Sequence, residues 1–203
     1  MERTFTYIYE NSHWGTNNNT EYKGSSGGGS DIMYNKDTYI PFVKKFITDN
    51  NITSVVDLGC GDFRCGPLIY NDINVKYNGY DTYKNVIIYN NNNNPKPKYN
   101  FTHLDFCNKK EEIMSADLCI IKDVVQHWEL TSIYTFLDYI VSSKKFKYIL
   151  ICNCCQQPFD NTDIVNGDMR PLNCKLLPLK KYNPIEVYRY YTKQVSIIRC
   201  NII

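Results

Sequence analysis

Val55-Val56-Asp57-Leu58-Gly59-Cys60-Gly61-Asp62-Phe63 is the stretch on which the fold turns. Thr53 to Leu58 is a short, mostly apolar run of the kind that forms a strand buried on both faces. It runs into a Gly-x-Gly turn, where missing side chains permit a tight reversal and let a ligand lie against bare backbone. Outward from there the pattern repeats. Strands are expected at 76–81, ending in Asp81, at 99–104, ending before Asp105, and at 116–121, ending before Lys122-Asp123. A further buried strand, Tyr148 to Cys152, ends before Asn153. Helices are expected between them at 37–49, weakly at 63–72, at 82–90 and most clearly at 129–143. The last carries Ile133, Phe136, Leu137, Ile140 and Val141 on one face. Two β-rich stretches, Glu186 to Tyr191 and Gln194 to Cys200, close the chain as an antiparallel hairpin around Thr192-Lys193.

Alternating strands and helices predict an α/β sheet covered on both faces. Such sheets bind ligands at the carboxyl ends of their strands, where the strand order reverses. Gly59, Gly61, Asp81, Asp105, Asp123 and Asn153 all stand at such ends, so one shared site is expected. Asp81 is placed for a ribose diol. Asp105, which when ionised only accepts hydrogen bonds, suits the amino group of a base.

The 203 residues are enough for one domain with a real core. With 43% hydrophobic and 22% charged residues the chain is globular. No apolar run approaches the ~18–20 residues that cross a bilayer, and Met1-Glu2-Arg3-Thr4 does not lead into a secretory signal, so a cytoplasmic location is expected. A net charge of +2, with scattered lysines balanced by acids, gives no phosphate track and makes a nucleic-acid partner the weaker expectation. Nine irregularly spaced cysteines read as reduced, mostly buried thiols. Cys152-Asn153-Cys154-Cys155 lacks the paired spacing of a zinc site, so no metal is expected. Abundant Asn, Ile and Tyr share A/T-rich codons and fit an A/T-rich genome, such as that of a large DNA virus or a protozoan. Residues 16–31 and 90–94 read as low-complexity loops.

Asp57-Leu58-Gly59-Cys60-Gly61, Asp81, Leu104-Asp105-Phe106 and Ile121-Lys122-Asp123-Val124-Val125-Gln126-His127-Trp128 together resemble the class I S-adenosylmethionine (SAM)-dependent methyltransferases over residues 50–203. The resemblance implies a Rossmann-like, mostly parallel seven-stranded sheet with a C-terminal antiparallel hairpin. It implies SAM as cofactor, held by Trp14, Ser30, Asp57, Gly59, Gly61, Asp81, Thr82, Asp105, Phe106, Lys122 and Asp123. Residues 1–36 are expected to form an N-terminal arm with a Ser/Gly-rich lid, and 37–203 the methyltransferase domain. One departure is Asp62, where many members carry a third glycine.

A narrower resemblance, to small methyltransferases of sugar and polysaccharide biosynthesis, rests on three segments. They are Trp14-Gly15 before the Ser25–Ser30 loop, Asp123 to His127, and Gly167-Asp168-Met169-Arg170-Pro171-Leu172. It implies O-methylation of a sugar, nucleotide-sugar or other glycan hydroxyl, with Asn153, Asp168 and Arg170 as acceptor contacts. Methyl transfer to a hydroxyl needs in-line placement and a base for the proton. His127, four residues after Asp123 at an expected helix start, is the candidate base, with Asp123 beside it. An RNA or other nucleic-acid methyltransferase is the alternative within the fold. The Asn-Pro-Pro-aromatic signature of base-amino methylation is absent at 122–125. A nicotinamide dehydrogenase is disfavoured because position 64 is Arg where Gly-x-Gly-x-x-Gly requires glycine.

Overall fold

A computed structural model describes residues 1–18, 20–156 and 162–200. Seven strands form one sheet: β1 Ser54–Leu58, β2 Lys76–Asp81, β3 Tyr99–His103, β4 Ala116–Lys122, β5 Phe146–Cys154, β6 Ile185–Tyr190 and β7 Lys193–Arg199. Their order is β3-β2-β1-β4-β5-β7-β6, with β7 running opposite to the other six. The order reverses between β1 and β4, which pair in parallel through Val55–Leu118 to Leu58–Ile121. The carboxyl ends of β1 and β4 therefore flank the switch point, where open α/β sheets bind ligands.

Among the described residues six α-helices flank the sheet: α1 Glu2–Glu10, α2 Ile32–Asn35, α3 Tyr39–Asp49, α4 Gly66–Tyr70, α5 Lys84–Asn93 and α6 Leu130–Ser142. Strand alternation sends Val55, Leu118, Ile120 and Leu150 to one face, against Val43 and Ile47 of α3, Ile69 of α4 and Val86 of α5. Val56, Leu58, Cys119, Ile121 and Ile149 go to the other, against Ile133, Phe136, Leu137 and Ile140 of α6 and Phe5 and Ile8 of α1. Among the described residues no helix is long and apolar enough to cross a membrane. All nine cysteines are free thiols.

One element is added to the expected set and two expectations are corrected. The N-terminal stretch holds the helix α1, whose Phe5, Ile8 and Tyr9 are buried at the i, i+3, i+4 spacing of one helical face. His127 does not open a helix: it ends a single 3-10 turn, Val125–His127, and α6 begins at Leu130. The terminal hairpin turns at Tyr191-Thr192, one residue earlier than expected, with a register irregularity between Glu186 and Tyr188. Residues 157–161, part of the connector after β5, lie outside the described residues.

Candidate active site

The floor of the site is the β1–α4 turn. Gly59 sits at φ +79°, and a Cβ there would collide with Val124 Cγ2. Its N–H and that of Cys60 both donate to Tyr80 O, at 2.8 and 3.0 Å, closing the turn onto β2. Gly61, at φ +52°, donates its N–H to Asp81 Oδ2 at 3.0 Å. Its carbonyl accepts from Asn90 Nδ2 at 2.7 Å. That last contact gives the Asn-rich α5, which has only a weak apolar face, a purpose at the turn. Asp81 Oδ1 accepts from Tyr83 N at 2.9 Å. Burial raises the Asp81 carboxyl, and these backbone donors oppose the rise.

The floor opens into a cleft of about 1080 Å³, open solvent at its mouth included. Trp14, Ser30, Asp57, Gly59, Gly61, Asp81, Thr82, Asp105, Phe106, Lys122, Asp123 and His127 all line it. Asn153, Asp168 and Arg170 are not among its lining residues. Asp57 accepts from Tyr77 Oη at 2.8 Å, and burial pushes its carboxyl up to about 6.

Asp105 stands at the β3 end of the cleft, but its carboxylate is engaged by the chain itself. Oδ2 accepts from Glu2 N at 3.2 Å and Asn108 Nδ2 at 2.8 Å, and lies 3.2 Å from the Met1 ammonium. Burial works to raise this carboxyl, and the three donors outweigh it, so it sits below the ordinary value. The group expected to meet a base amine anchors the amino end of α1, where unpaired helix N–H groups favour an anion.

A roof covers the floor. Ser26 Oγ accepts from Asp62 N at 2.9 Å and shares a 2.8 Å hydrogen bond with Tyr9 Oη. Lys122 Nζ donates to Gly29 O at 2.6 Å. The Ser/Gly-rich segment, expected to be an irregular loop, thus lies directly on the turn, with a 3-10 turn at Gly28–Ser30. Trp14 packs between Phe5 and His127, its ring centre 5.7 Å from the first and 4.9 Å from the second.

At the far end Asp123 adopts φ +58°. Its Oδ2 accepts from Lys122 Nζ at 2.8 Å and its Oδ1 from Lys193 Nζ. Burial opposes ionisation, yet the two ammonium groups hold the carboxyl at about 2. Lys193 comes from β7 and was not singled out by sequence reasoning, because strand pairing alone brings it to Asp123.

His127 Nδ1 lies 2.8 Å from Asp168 O. A carbonyl only accepts, so Nδ1 carries the proton and Nε2 the lone pair. Gln126 Oε1 accepts from Cys154 N at 2.8 Å, which turns the amide nitrogen towards His127 Nε2 at 3.3 Å. Burial lowers the His127 pKa, with Asp123 opposing the change. Gln126, also missed, therefore helps to specify the neutral tautomer. Arg170 acts behind the ring: it donates Nη2 to Trp128 O at 2.7 Å, pairs Nη1 with Asp163 at 3.0 Å, and its N–H meets Gln126 O at 3.0 Å. Asp168 meets His127 through its backbone. Asn153 is buried at the β5 end with Oδ1 unpartnered. Among the described residues no group of three or more metal-ligating side chains occurs.

An adenosyl cofactor finds matching chemistry here. Three buried polar atoms on lining residues have no partner within the protein: Thr82 Oγ1 beside Asp81, Trp128 Nε1 near Phe106, and Asp62 Oδ1 on the glycine turn. Buried polar groups are normally paired. A ligand carrying hydroxyls, ring nitrogens and an ammonium supplies what these lack.

The comparisons agree with the topology. An O-methyltransferase family protein from Burkholderia thailandensis superposes with a TM-score of 0.61 at 11% identity, over 79% of this chain and 55% of that one. The methyltransferase domain of the bacterial CtHen1-C gives 0.63 at 11% identity, over 81% of this chain and 98% of that one. The N-methyltransferase NodS from Bradyrhizobium japonicum, solved with S-adenosyl-L-homocysteine, gives 0.57 at 12% identity, over 79% and 83% of the two chains. The architecture is that of a class I methyltransferase. This chain spans about half the length of the Burkholderia protein. The sequence matches no protein-family model and no curated protein.

Proposed function

We propose that the protein is a SAM-dependent O-methyltransferase that methylates a hydroxyl of a sugar, nucleotide sugar or glycan. The observation that carries the reading is the meeting of three separate segments at His127. Trp14 packs against its ring, Gly167 N donates to its carbonyl at 2.8 Å, and the Asp168 carbonyl fixes its proton on Nδ1. These are the segments on which the narrower resemblance rests.

Bound SAM would supply an electrophilic methyl on a sulfonium. The residues fitted to hold it are Asp81 and Thr82 for the ribose, Phe106 for the base, and the Gly59–Gly61 turn for the methionyl arm. The acceptor is left to the far end, where the His127 Nε2 lone pair would exchange the Gln126 amide donor at 3.3 Å for the acceptor hydroxyl and take its proton. Asp123 favours the imidazolium that results, and Lys193, which pairs with Asp123, opposes it. Trp14 and the Ser25–Ser30 segment exclude water from above.

Purified protein incubated with SAM and a panel of nucleotide sugars, free glycans and RNA should add one methyl mass to a carbohydrate. His127→Ala should slow turnover by about 10²–10⁴-fold while leaving S-adenosylhomocysteine affinity within about twofold. Methylated RNA and untouched sugars would replace the acceptor assignment. Unchanged turnover in the variant would remove His127 as the base.

A further inference from the structure

Asp62 occupies the place where the fold's glycine turn commonly carries a third glycine, and its carboxylate is half used. Oδ2 is paired with Arg64 Nε at 2.8 Å and accepts from Tyr22 Oη at 3.4 Å. Oδ1 has no partner, although the residue is only 5% exposed and lines the cleft. A buried carboxylate oxygen without a donor is costly, and the cost falls sharply when a cation meets it.

The other acids of the cleft are largely committed. Asp81 holds Gly61 N and Tyr83 N and is assigned to the ribose, Asp123 is held by Lys122 and Lys193, and Asp105 by the start of α1 and Asn108. Asp57 holds Tyr77 Oη on the strand below the turn. Arg64 also lines the cleft, so the turn presents a carboxylate and a guanidinium side by side. A ligand end that bears an ammonium and a carboxylate on one carbon matches both signs.

We infer that Asp62 Oδ1 receives the α-ammonium of the cofactor's methionyl arm, making the departure from glycine a charged recognition element. The inference rests on the SAM reading of the cleft. Asp62 also braces Arg64 and Tyr22, so a test must separate recognition from support.

The test is a binding cycle by calorimetry. S-adenosylhomocysteine and its analogue with hydrogen in place of the α-amino group are titrated into the wild type, Asp62→Asn and Asp57→Asn. In the wild type the amino group should improve affinity about 10- to 100-fold, the range of a charge-assisted hydrogen bond. Asp62→Asn should bring the two ligands to within about threefold of each other, with the analogue's own affinity little changed. A purely structural role weakens both ligands equally and preserves their ratio, which overturns the inference. So does collapse of the ratio in Asp57→Asn alone. If wild type binds neither ligand, the cofactor reading itself fails, and that outcome is distinct from the other two.

Discussion

The floor and the roof of the cleft are built on different principles. The floor closes through contacts between near neighbours in the fold's central unit: Asp81 reaches Gly61 across 20 residues and Tyr83 across two. The roof is tied down across long loops, with Ser26 meeting Asp62 over 36 residues, Gly29 meeting Lys122 over 93 and Glu2 meeting Asp105 over 103. Floor residues also belong to a sheet whose strands are buried on both faces, whereas the Ser/Gly-rich part of the roof contributes almost no apolar side chain. Each roof hydrogen bond is worth only about 0.5–1.5 kcal/mol net. The floor is therefore pre-organised, and the roof is the more weakly held of the two.

The largest effect should come from breaking the floor. Gly59→Ala places a side chain at φ +79° and against Val124 Cγ2. Left-handed strain and overpacking together should lower stability by about 2–4 kcal/mol in urea denaturation. Adding Val124→Ala should return the overpacking part and leave the strain. A neutral Gly59→Ala would show that the turn is not under the constraint described.

The floor was legible because its logic is local. A strand, a Gly-x-Gly turn and a carboxylate at the next strand end are adjacent in sequence and remain adjacent in space. The sheet, its hairpin and the placement of Asp81, Asp123 and His127 on one cleft follow from that pattern. What was not legible depends on distant chain. Nothing near Asp105 announces that α1 will dock on it, and nothing near Asp123 announces Lys193. Arg170 and Asp168 sit in a motif that suggested acceptor contacts, and nothing in that motif announces that the arginine braces Trp128 or that the Asp168 carbonyl meets His127. The helix α1 did carry a signal, the spacing of Phe5, Ile8 and Tyr9, in a segment too short and polar to stand out.

A smaller effect distinguishes the acceptor end. Asp123 titrates at about 2 in the fold against an ordinary 3.8. The stabilisation from its two lysine partners is therefore whole above about pH 4 and disappears as the pH falls towards 2. Asp123→Asn should cost about 1–2 kcal/mol near neutrality, and the gap to wild type should close through that acid window in denaturation curves. A gap independent of pH would place the cost in packing instead of charge.

The smallest effect bears most directly on the contrast between floor and roof. If Asp105 serves the roof, Asp105→Asn weakens the anchoring of α1 while leaving the adenosine site intact. Hydrogen exchange at the first-turn amides of α1 should then rise about fivefold, matching loss of a charge–helix contact worth about 1 kcal/mol. Adenosine affinity should stay within about twofold. If instead Asp105 gives up α1 to accept a base amine when ligand binds, adenosine affinity falls about tenfold, and wild-type α1 loses protection on adding adenosine. The two outcomes differ for the wild type, no change against a loss of protection. An anchor keeps α1 as protected with ligand as without it, whereas a shared carboxylate forces helix and base to compete, so that every entry of cofactor begins by lifting the roof.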